Sequence, residues 1–282
     1  MADEANFGAV VQFYDTHPIN ENQILGALAA RGIRTDEITE DHLKEFDQDH
    51  YGGIGALETL AREAGIARDQ HVLDICSGMG GPARYLAHTL GCRVSGIDLT
   101  ASRVEGANRL TRLARLDHLV DCRQGNALDL PFADAHFDAV ISEEAWAHIP
   151  DKPRLVSEAA RVVKPGGIIA FTDIVHRGAL PAKTAQTLHD TMTFRDLEAL
   201  EGYRTLLAGN ACTVMQCTDL SGEWKVILRQ RRAMYRSLKD STIAKFGAEG
   251  YERYDAAYSF FVSLYEDGIL GGVRYVARKH AA

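Results

Sequence analysis

The residues whose types and spacing best suit chemistry lie in one run, Val72-Leu73-Asp74-Ile75-Cys76-Ser77-Gly78-Met79-Gly80-Gly81-Pro82-Ala83. An apolar strand leads into a glycine-rich turn, and a helix opens at Pro82, where a missing N–H costs no hydrogen bond. Gly78 and Gly80 let the backbone turn sharply and let a ligand approach without interference from a Cβ. Asp98 ends the next apolar run, Val94-Ser95-Gly96-Ile97-Asp98, twenty positions beyond Gly78. A carboxylate at that tip accepts both hydroxyls of a ribose lying across the first loop. An ordinary strand-to-helix turn would explain the glycines but not the acid. Loop and acid together predict an adenosine-containing cofactor.

Gly78-x-Gly80-x-x-Ala83 also matches the dinucleotide fingerprint, so an NAD(P)-dependent oxidoreductase is the competing reading. The phasing favours a different ligand. Asp74 lies inside the strand end, with three residues separating it from Gly78. An acid there suits a cationic ligand with an amino-acid tail better than a diphosphate. A second candidate for chemistry is His148, which follows the fourth apolar run and whose reference pKa near ~6.5 suits a general base. A packing or capping histidine is the plainer alternative.

Such residues need strands to carry them and helices to cover the strands. Short apolar runs alternate with amphipathic stretches, the signature of a parallel sheet. The runs predict strands at His71–Cys76, Arg93–Asp98, Leu119–Gln124, Phe137–Ser142, Ile168–Asp173 and Cys212–Thr218. Helices are expected at Pro82–Leu90, Ser102–Ala114, Lys152–Val163 and Phe194–Ala208. Two more, around Glu21–Arg31 and Glu37–Phe46, form a polar N-terminal zone. Residues 221–268 read as two helices, before a last strand at Gly271–Arg278. The expected division is a lid at 1–55, a core at 56–220, a helical cap at 221–268 and a final strand at 269–282.

The chain has 282 residues, 46% hydrophobic and 25% charged, enough for one α/β domain with insertions. Its net charge of −8 gives no electrostatic footprint for nucleic acid or anionic lipid. Five scattered cysteines without a CxxC pair fit free thiols rather than disulfides or a zinc site, and no metal is expected. The start is acidic (Ala2, Asp3, Glu4), and no apolar run approaches the roughly 18 residues a membrane span needs. A cytoplasmic protein is expected, with a small-molecule partner and no nucleic-acid or membrane partner. Oligomeric state is not legible here.

From Val72 to Asp173 the chain resembles class I S-adenosylmethionine-dependent methyltransferases. Leu73 to Gly80 looks like the family's first motif, and Asp98 matches its ribose-binding acid. Gly125-Asn126-Ala127 matches a Gly-Asp-Ala that contacts adenine, with Asn126 in place of the usual acid. Asp129-Leu130-Pro131-Phe132 and Val163-Lys164-Pro165-Gly166-Gly167 match later landmarks. Two subgroups are similar over most of the chain. Sarcosine/dimethylglycine and phosphoethanolamine N-methyltransferases share Asp49-His50-Tyr51-Gly52-Gly53 and Asp219-Leu220-Ser221-x-x-Trp224. Natural-product sugar O-methyltransferases share Gly80-Gly81-Pro82-Ala83, Glu144-Ala145-x-x-His148-x-Pro150-Asp151 and Gly247-Ala248-Glu249-Gly250.

The resemblance implies a Rossmann-like, doubly wound, seven-stranded and mostly parallel sheet with an antiparallel last strand and a helical lid. It implies S-adenosyl-L-methionine as cofactor, S-adenosyl-L-homocysteine as product, and methyl transfer to a small molecule. A catalytically silent cofactor-binding module is a third reading. Cofactor contacts would come from Asp74, Cys76, Gly78 and Gly80 on the loop, and from Asp98, Leu99 and Arg103 after the second strand. Gly125, Asn126 and Ala127 would meet adenine, with Tyr51 and Glu143 closing the site. By resemblance to the sugar enzymes, His148 is the base and Asp173, at the end of the fifth strand, orients it. Tyr14 and His17 could close over the substrate, although a polar surface helix is the plainer reading. Trp224 and Arg229 are candidates for holding the acceptor. Tyr251, Tyr254, Tyr258, Phe261 and Tyr265 recur at helical spacing and are expected to pack the cap.

Overall fold

The apolar runs become seven strands: β1 (His71–Ile75), β2 (Arg93–Asp98), β3 (Val120–Gln124), β4 (Phe137–Glu143), β5 (Val163–His176), β6 (Cys212–Asp219) and β7 (Leu270–Lys279). The computed structural model describes residues 2–15 and 19–281. The strands form one sheet in the order β3-β2-β1-β4-β5-β7-β6, with β7 antiparallel to both neighbours. The first four pair in parallel, with Val72 opposite Val94 on one side and Ala139 on the other. The chain therefore reverses direction across the sheet between β1 and β4, and the tips of β1, β2 and β4 open a crevice there.

Twelve helices are described: α1 (Ala2–Asp15), α2 (Glu21–Ala30), α3 (Glu40–Leu43), α4 (Gly53–Ala64), α5 (Gly81–Leu90), α6 (Ala101–Leu113), α7 (Lys152–Val162), α8 (Ala182–Met192), α9 (Gly202–Gly209), α10 (Ser221–Ser237), α11 (Lys239–Phe246) and α12 (Ala248–Glu266). Successive strand residues point to opposite faces. Leu73, Ile75, Val140 and Phe171 accordingly pack with Leu155, Val156 and Ala159 of α7 and Tyr203 and Leu207 of α9. Val72, Val94 and Ile141 pack with Leu57 and Leu60 of α4, Leu86 of α5 and Ala107 of α6.

Two smaller cores stand over the crevice. Trp224 and Leu228 of α10 pack with Phe261, Val262 and Tyr265 of α12. Ile24 and Leu28 of α2 pack with Leu43, Met79 and Leu110. No helix among the described residues is long and apolar enough to cross a membrane.

Four expected elements differ. The helix foreseen at Phe194–Ala208 begins only at Gly202, because backbone bonds between His176 and both Glu198 and Leu200 hold that stretch extended. The cap contains three helices, not two, since Gly247 at φ +78° breaks the run. The stretch foreseen as Glu37–Phe46 divides into a 3₁₀ turn at Thr35–Glu37 and α3. The N-terminal zone also holds α1, and neither it nor α4, which crosses the expected boundary at residue 55, nor α8 is among the expected helices.

Candidate active site

The loop after β1 places three residues in five in the left-handed region: Cys76 at φ +63°, Gly78 at +51° and Gly80 at +73°. The glycines take this shape without strain; Cys76 does so with a Cβ. A Cβ built on Gly78 meets nothing within 4 Å, so that position faces the open crevice. Gly80 does not. A Cβ there would lie 3.0 Å from Arg84 Nη1 and 3.2 Å from Ala107, so Gly80 lets α5 and α6 approach rather than a ligand.

Asp98 closes this loop from β2. Its Oδ2 accepts the Gly78 N–H at 2.9 Å and its Oδ1 accepts the Thr100 N–H at 2.9 Å. Burial raises its pKa, and those two bonds hold it down. Leu99 and Gly125 are half-buried beside it, and the Gly125 N–H donates to the Asp98 carbonyl at 2.9 Å. Asn126 uses its Oδ1 to accept the Leu128 N–H at 2.9 Å. Its oxygen is committed to its own turn, so the end it offers a ligand is the amide N–H. Ala127 is buried against the sheet.

Several buried polar atoms at the strand tips have no hydrogen-bond partner: Asp74 Oδ2, Glu143 Oε2, and Nε and Nη2 of Arg103. Native proteins rarely leave such atoms orphaned unless a ligand or water takes them. Burial, with Asp98 nearby, pushes Asp74 up to about 8. Burial, then Glu144 and Asp74, pushes Glu143 well above the carboxylate range. Its neighbour His50, with Nδ1 at 3.3 Å from Oε1, is pushed down to about 4 by burial. The pair is therefore neutral imidazole against neutral carboxyl. Three carboxyls crowding one crevice fit a ligand that brings positive charge. Cys76 is held as a thiol by burial and by Asp98.

Beyond β4 the other half of the site begins. Glu144, at φ +57°, accepts the Tyr51 N–H with both oxygens, at 2.7 and 2.8 Å. The Tyr51 ring lies between Trp224, 5.0 Å away edge-on, and the Arg231 guanidinium, 4.7 Å from its centroid. Arg231 also donates to the carbonyls of Asp49 at 3.2 Å and His50 at 2.7 Å. Arg231, not Arg229, thus ties the cap to the lid. Arg229 is exposed and paired with Glu266 at 2.7 Å, away from the crevice. Trp224 is a core residue: a Cβ on Gly272 would fall 2.2 Å from its ring.

His148 ends a 3₁₀ turn, Trp146–His148, which Trp146 anchors by stacking on Phe171 at 3.9 Å. Its Nδ1 lies 2.8 Å from Thr193 Oγ1, and its Nε2 lies 3.0 Å from Tyr14 Oη. Thr193 gives its one hydroxyl proton to the Met192 carbonyl at 2.7 Å, so its oxygen accepts from Nδ1–H. Nε2 is then the basic nitrogen, and the Tyr14 hydroxyl donates to it. Burial raises the Tyr14 pKa, so the phenol keeps its proton.

Asp173 does not orient this imidazole. It is fully buried, with Oδ1 accepting the Ala147 N–H at 2.9 Å and Oδ2 accepting the Tyr203 hydroxyl at 2.6 Å. Burial pushes it up to about 6, against the pull of Lys152 and these bonds. It supports the backbone beside His148 rather than the ring, and Thr193 does the orienting. His17 lies outside the described residues.

Residues 73–171 match a family model described as a methyltransferase domain. Within those residues the chain carries a methyltransferase domain. Around it, the chain is 33% identical over 154 residues to a sarcosine/dimethylglycine N-methyltransferase of Halorhodospira halochloris, covering 55% of this chain and 54% of that protein. It is 29% identical to the chloroplastic tocopherol O-methyltransferase of Arabidopsis thaliana over 71% of this chain and 66% of that one. The chain thus spans about half to two thirds of the length of these relatives. The chain also superposes with TM-score 0.74 on a phosphoethanolamine N-methyltransferase of Haemonchus contortus, solved with phosphomonomethylethanolamine and S-adenosylhomocysteine. That likeness, at 23% identity, covers 90% of this chain and 59% of the other.

Glu144, Thr193 and Arg231 are the functional-site residues that sequence reasoning did not single out for these roles. Arg231 carried a signal, a cluster of basic residues on α10, but spacing alone does not say which guanidinium faces inward.

Proposed function

We propose that this chain is an S-adenosylmethionine-dependent methyltransferase acting on a nitrogen or oxygen of a small-molecule acceptor. The observation that carries the reading is one crevice holding two halves. An adenosine cradle of Gly78, Asp98 and Asn126 continues into a basic His148 Nε2 covered by Tyr14. When bound, the cofactor supplies an electrophilic methyl group on a sulfonium. Asp98 would hold the ribose, Asn126 and Ala127 the adenine edge, and Asp74 and Glu143 the cationic amino-acid end. Leu99 and Cys76 would wall the pocket.

The protein's share of such a displacement is alignment and exclusion of water. Tyr14, Tyr51 and the cap helices close the acceptor side. His148 Nε2 takes the proton of a hydroxyl acceptor as methyl transfer proceeds, with Thr193 fixing its tautomer. A neutral amine needs only positioning, for which Glu144 and the surrounding rings suffice. Oxygen and nitrogen acceptors, as used by the two named relatives, therefore both fit the pocket. Five free thiols and an acidic chain support a cytoplasmic enzyme without a nucleic-acid partner. The N-terminal helices act as lid and residues 221–268 as cap.

Thermal shift and calorimetry with S-adenosylhomocysteine and NAD test the cofactor. Stabilisation by the first alone is expected, whereas stabilisation by NAD alone would return the oxidoreductase reading. Methyl-labelled S-adenosylmethionine with sarcosine and with a hydroquinone then tests turnover. Binding without turnover on any of a broad acceptor panel would favour the silent module.

A further inference from the structure

Arg84 and Arg103 are both buried guanidiniums behind the crevice, but they are satisfied differently. Arg84 pairs with Asp47 at 2.7 Å and Glu40 at 3.3 Å, and donates to the Met79 carbonyl at 2.8 Å. Arg103 is 4% exposed, and neither its Nε nor its Nη2 makes a hydrogen bond. It also sits in the first turn of α6, where the helix dipole disfavours a positive charge. A buried cation at a helix start whose Nε–H and Nη2–H go without acceptors lowers stability on both counts. Such a residue stands where it does for something other than the fold of the empty protein.

Its neighbours say what. Asp98, the acid at the tip of β2, lies close enough for the guanidinium charge to lower its pKa. On the other side, the guanidinium carbon sits 5.2 Å from the centroid of the Tyr14 ring, a cation–π contact. The adjacent Ser102 hydroxyl donates to Asp15 at 2.5 Å, so the end of α1 is docked on both sides of Arg103. Tyr14 in turn meets His148. Arg103 thus adjoins both the ribose acid and the lid residue over the acceptor.

We propose that Arg103 is a latch between cofactor and lid, its Nε–H and Nη2–H donating to ribose oxygens while its flat face seats Tyr14 over the acceptor. This rests on the methyltransferase reading above. A ribose hydroxyl has one proton, which Asp98 accepts, and lone pairs, which need donors. Asp98 supplies no donor, and Arg103 has two in a fixed fork. Once the ribose fixes the guanidinium plane, the plane fixes the Tyr14 ring. The lid then closes on a site that already holds the methyl donor.

The test compares wild type, Arg103→Met and Arg103→Lys by calorimetry with S-adenosylhomocysteine and with its 2′,3′-dideoxy analogue. Ligand-free melting temperature and hydrogen exchange across residues 7–15 are measured alongside. Arg103→Met should bind S-adenosylhomocysteine about tenfold more weakly or worse, and should lose most of the wild-type preference for it over the dideoxy compound. Ligand-free Arg103→Met should melt at or above wild type, because two buried donors without acceptors have gone. Arg103→Lys, with no fork, should not restore affinity. S-adenosylhomocysteine should slow exchange in α1 in wild type and far less in the methionine variant.

Equal binding of S-adenosylhomocysteine by wild type and Arg103→Met would overturn the latch. So would equal loss for both ligands, or a methionine variant less stable when empty, either of which marks a structural residue. If wild type itself does not bind S-adenosylhomocysteine, the methyltransferase reading falls and this one with it.

Discussion

Tyr14 Oη lies 3.0 Å from His148 Nε2, joining the first helix of the chain to the turn after β4 across 134 residues. The hydroxyl occupies the nitrogen that a hydroxyl acceptor would have to reach, so acceptor binding exchanges one O–H donor for another. His148→Ala should lower kcat on a hydroxyl acceptor by ~10²–10⁴-fold with cofactor affinity unchanged. The wild-type rate should fall in acid as the imidazole protonates. Steady-state kinetics across pH checks both, and a fully active variant with an unchanged profile would remove the base. Tyr14→Phe removes the competing donor and keeps the ring, so it should lower KM for a hydroxyl acceptor.

Asp98→Ala should weaken S-adenosylhomocysteine binding by on the order of 1–3 kcal/mol, the range for hydrogen bonds to a charged group. It also frees the Gly78 N–H, so calorimetry should be paired with circular dichroism to show that the fold survives. Unchanged affinity in a folded variant would take Asp98 out of the site.

Gly78→Val should abolish cofactor binding in a folded protein. The position has φ +51° and faces open crevice, so a branched side chain is strained and fills ligand space at once. Normal titration of the valine protein with S-adenosylhomocysteine would mean the cofactor lies elsewhere.

Asp173→Ala should cost about 1–3 kcal/mol of stability, because it strands the buried Ala147 N–H and Tyr203 hydroxyl. The pH dependence of any turnover that remains should match wild type, since Thr193 rather than Asp173 holds the imidazole. Urea unfolding and a pH–rate profile decide the point; a shifted profile at unchanged stability would return Asp173 to the catalytic pair.

Asp74 gives a stability prediction with a definite sign. Folded, it keeps its proton up to about pH 8; unfolded, it ionises in the ordinary carboxylate range. Between those limits the folded state holds the extra proton, so this contribution is present in acid and lost as pH rises toward 8. Asp74→Asn cannot ionise, so its melting temperature should gain on wild type as pH is raised across that window. Parallel melting curves over pH check this, and a gap that does not widen with pH would show that Asp74 is already charged.

Strands were legible because burial on both faces demands apolar runs, as in Ala139–Ile141 and Ile168–Phe171, and glycines and prolines punctuate them. Asp98 was legible because the loop fixes its distance along the chain. The helix α1 was not, since its placement depends on Tyr14 and Asp15 meeting His148 and Ser102 from distant parts of the sequence. Trp224 and Arg229 were misjudged for a related reason: on one helix, position relative to Gly272 and Glu266 decides which side chain is core, which is surface and which, like Arg231, turns to the site. Asp173 stands at the expected strand end, but Tyr203, thirty residues on, claims its carboxylate.

The cap interrupts the sheet in an unusual place. Asp219 at the end of β6 pairs with Val273 near the start of β7, so the chain leaves and re-enters at adjacent rungs of one antiparallel ladder. Topologically, residues 221–268 are the loop of a hairpin. A loop whose two stems are already zipped is free to lengthen, shorten or be replaced without shifting any strand's register. The cap's contact with Tyr51, made through Trp224 and Arg231, can therefore vary while the loop that carries Gly78 and Asp98 stays as it is.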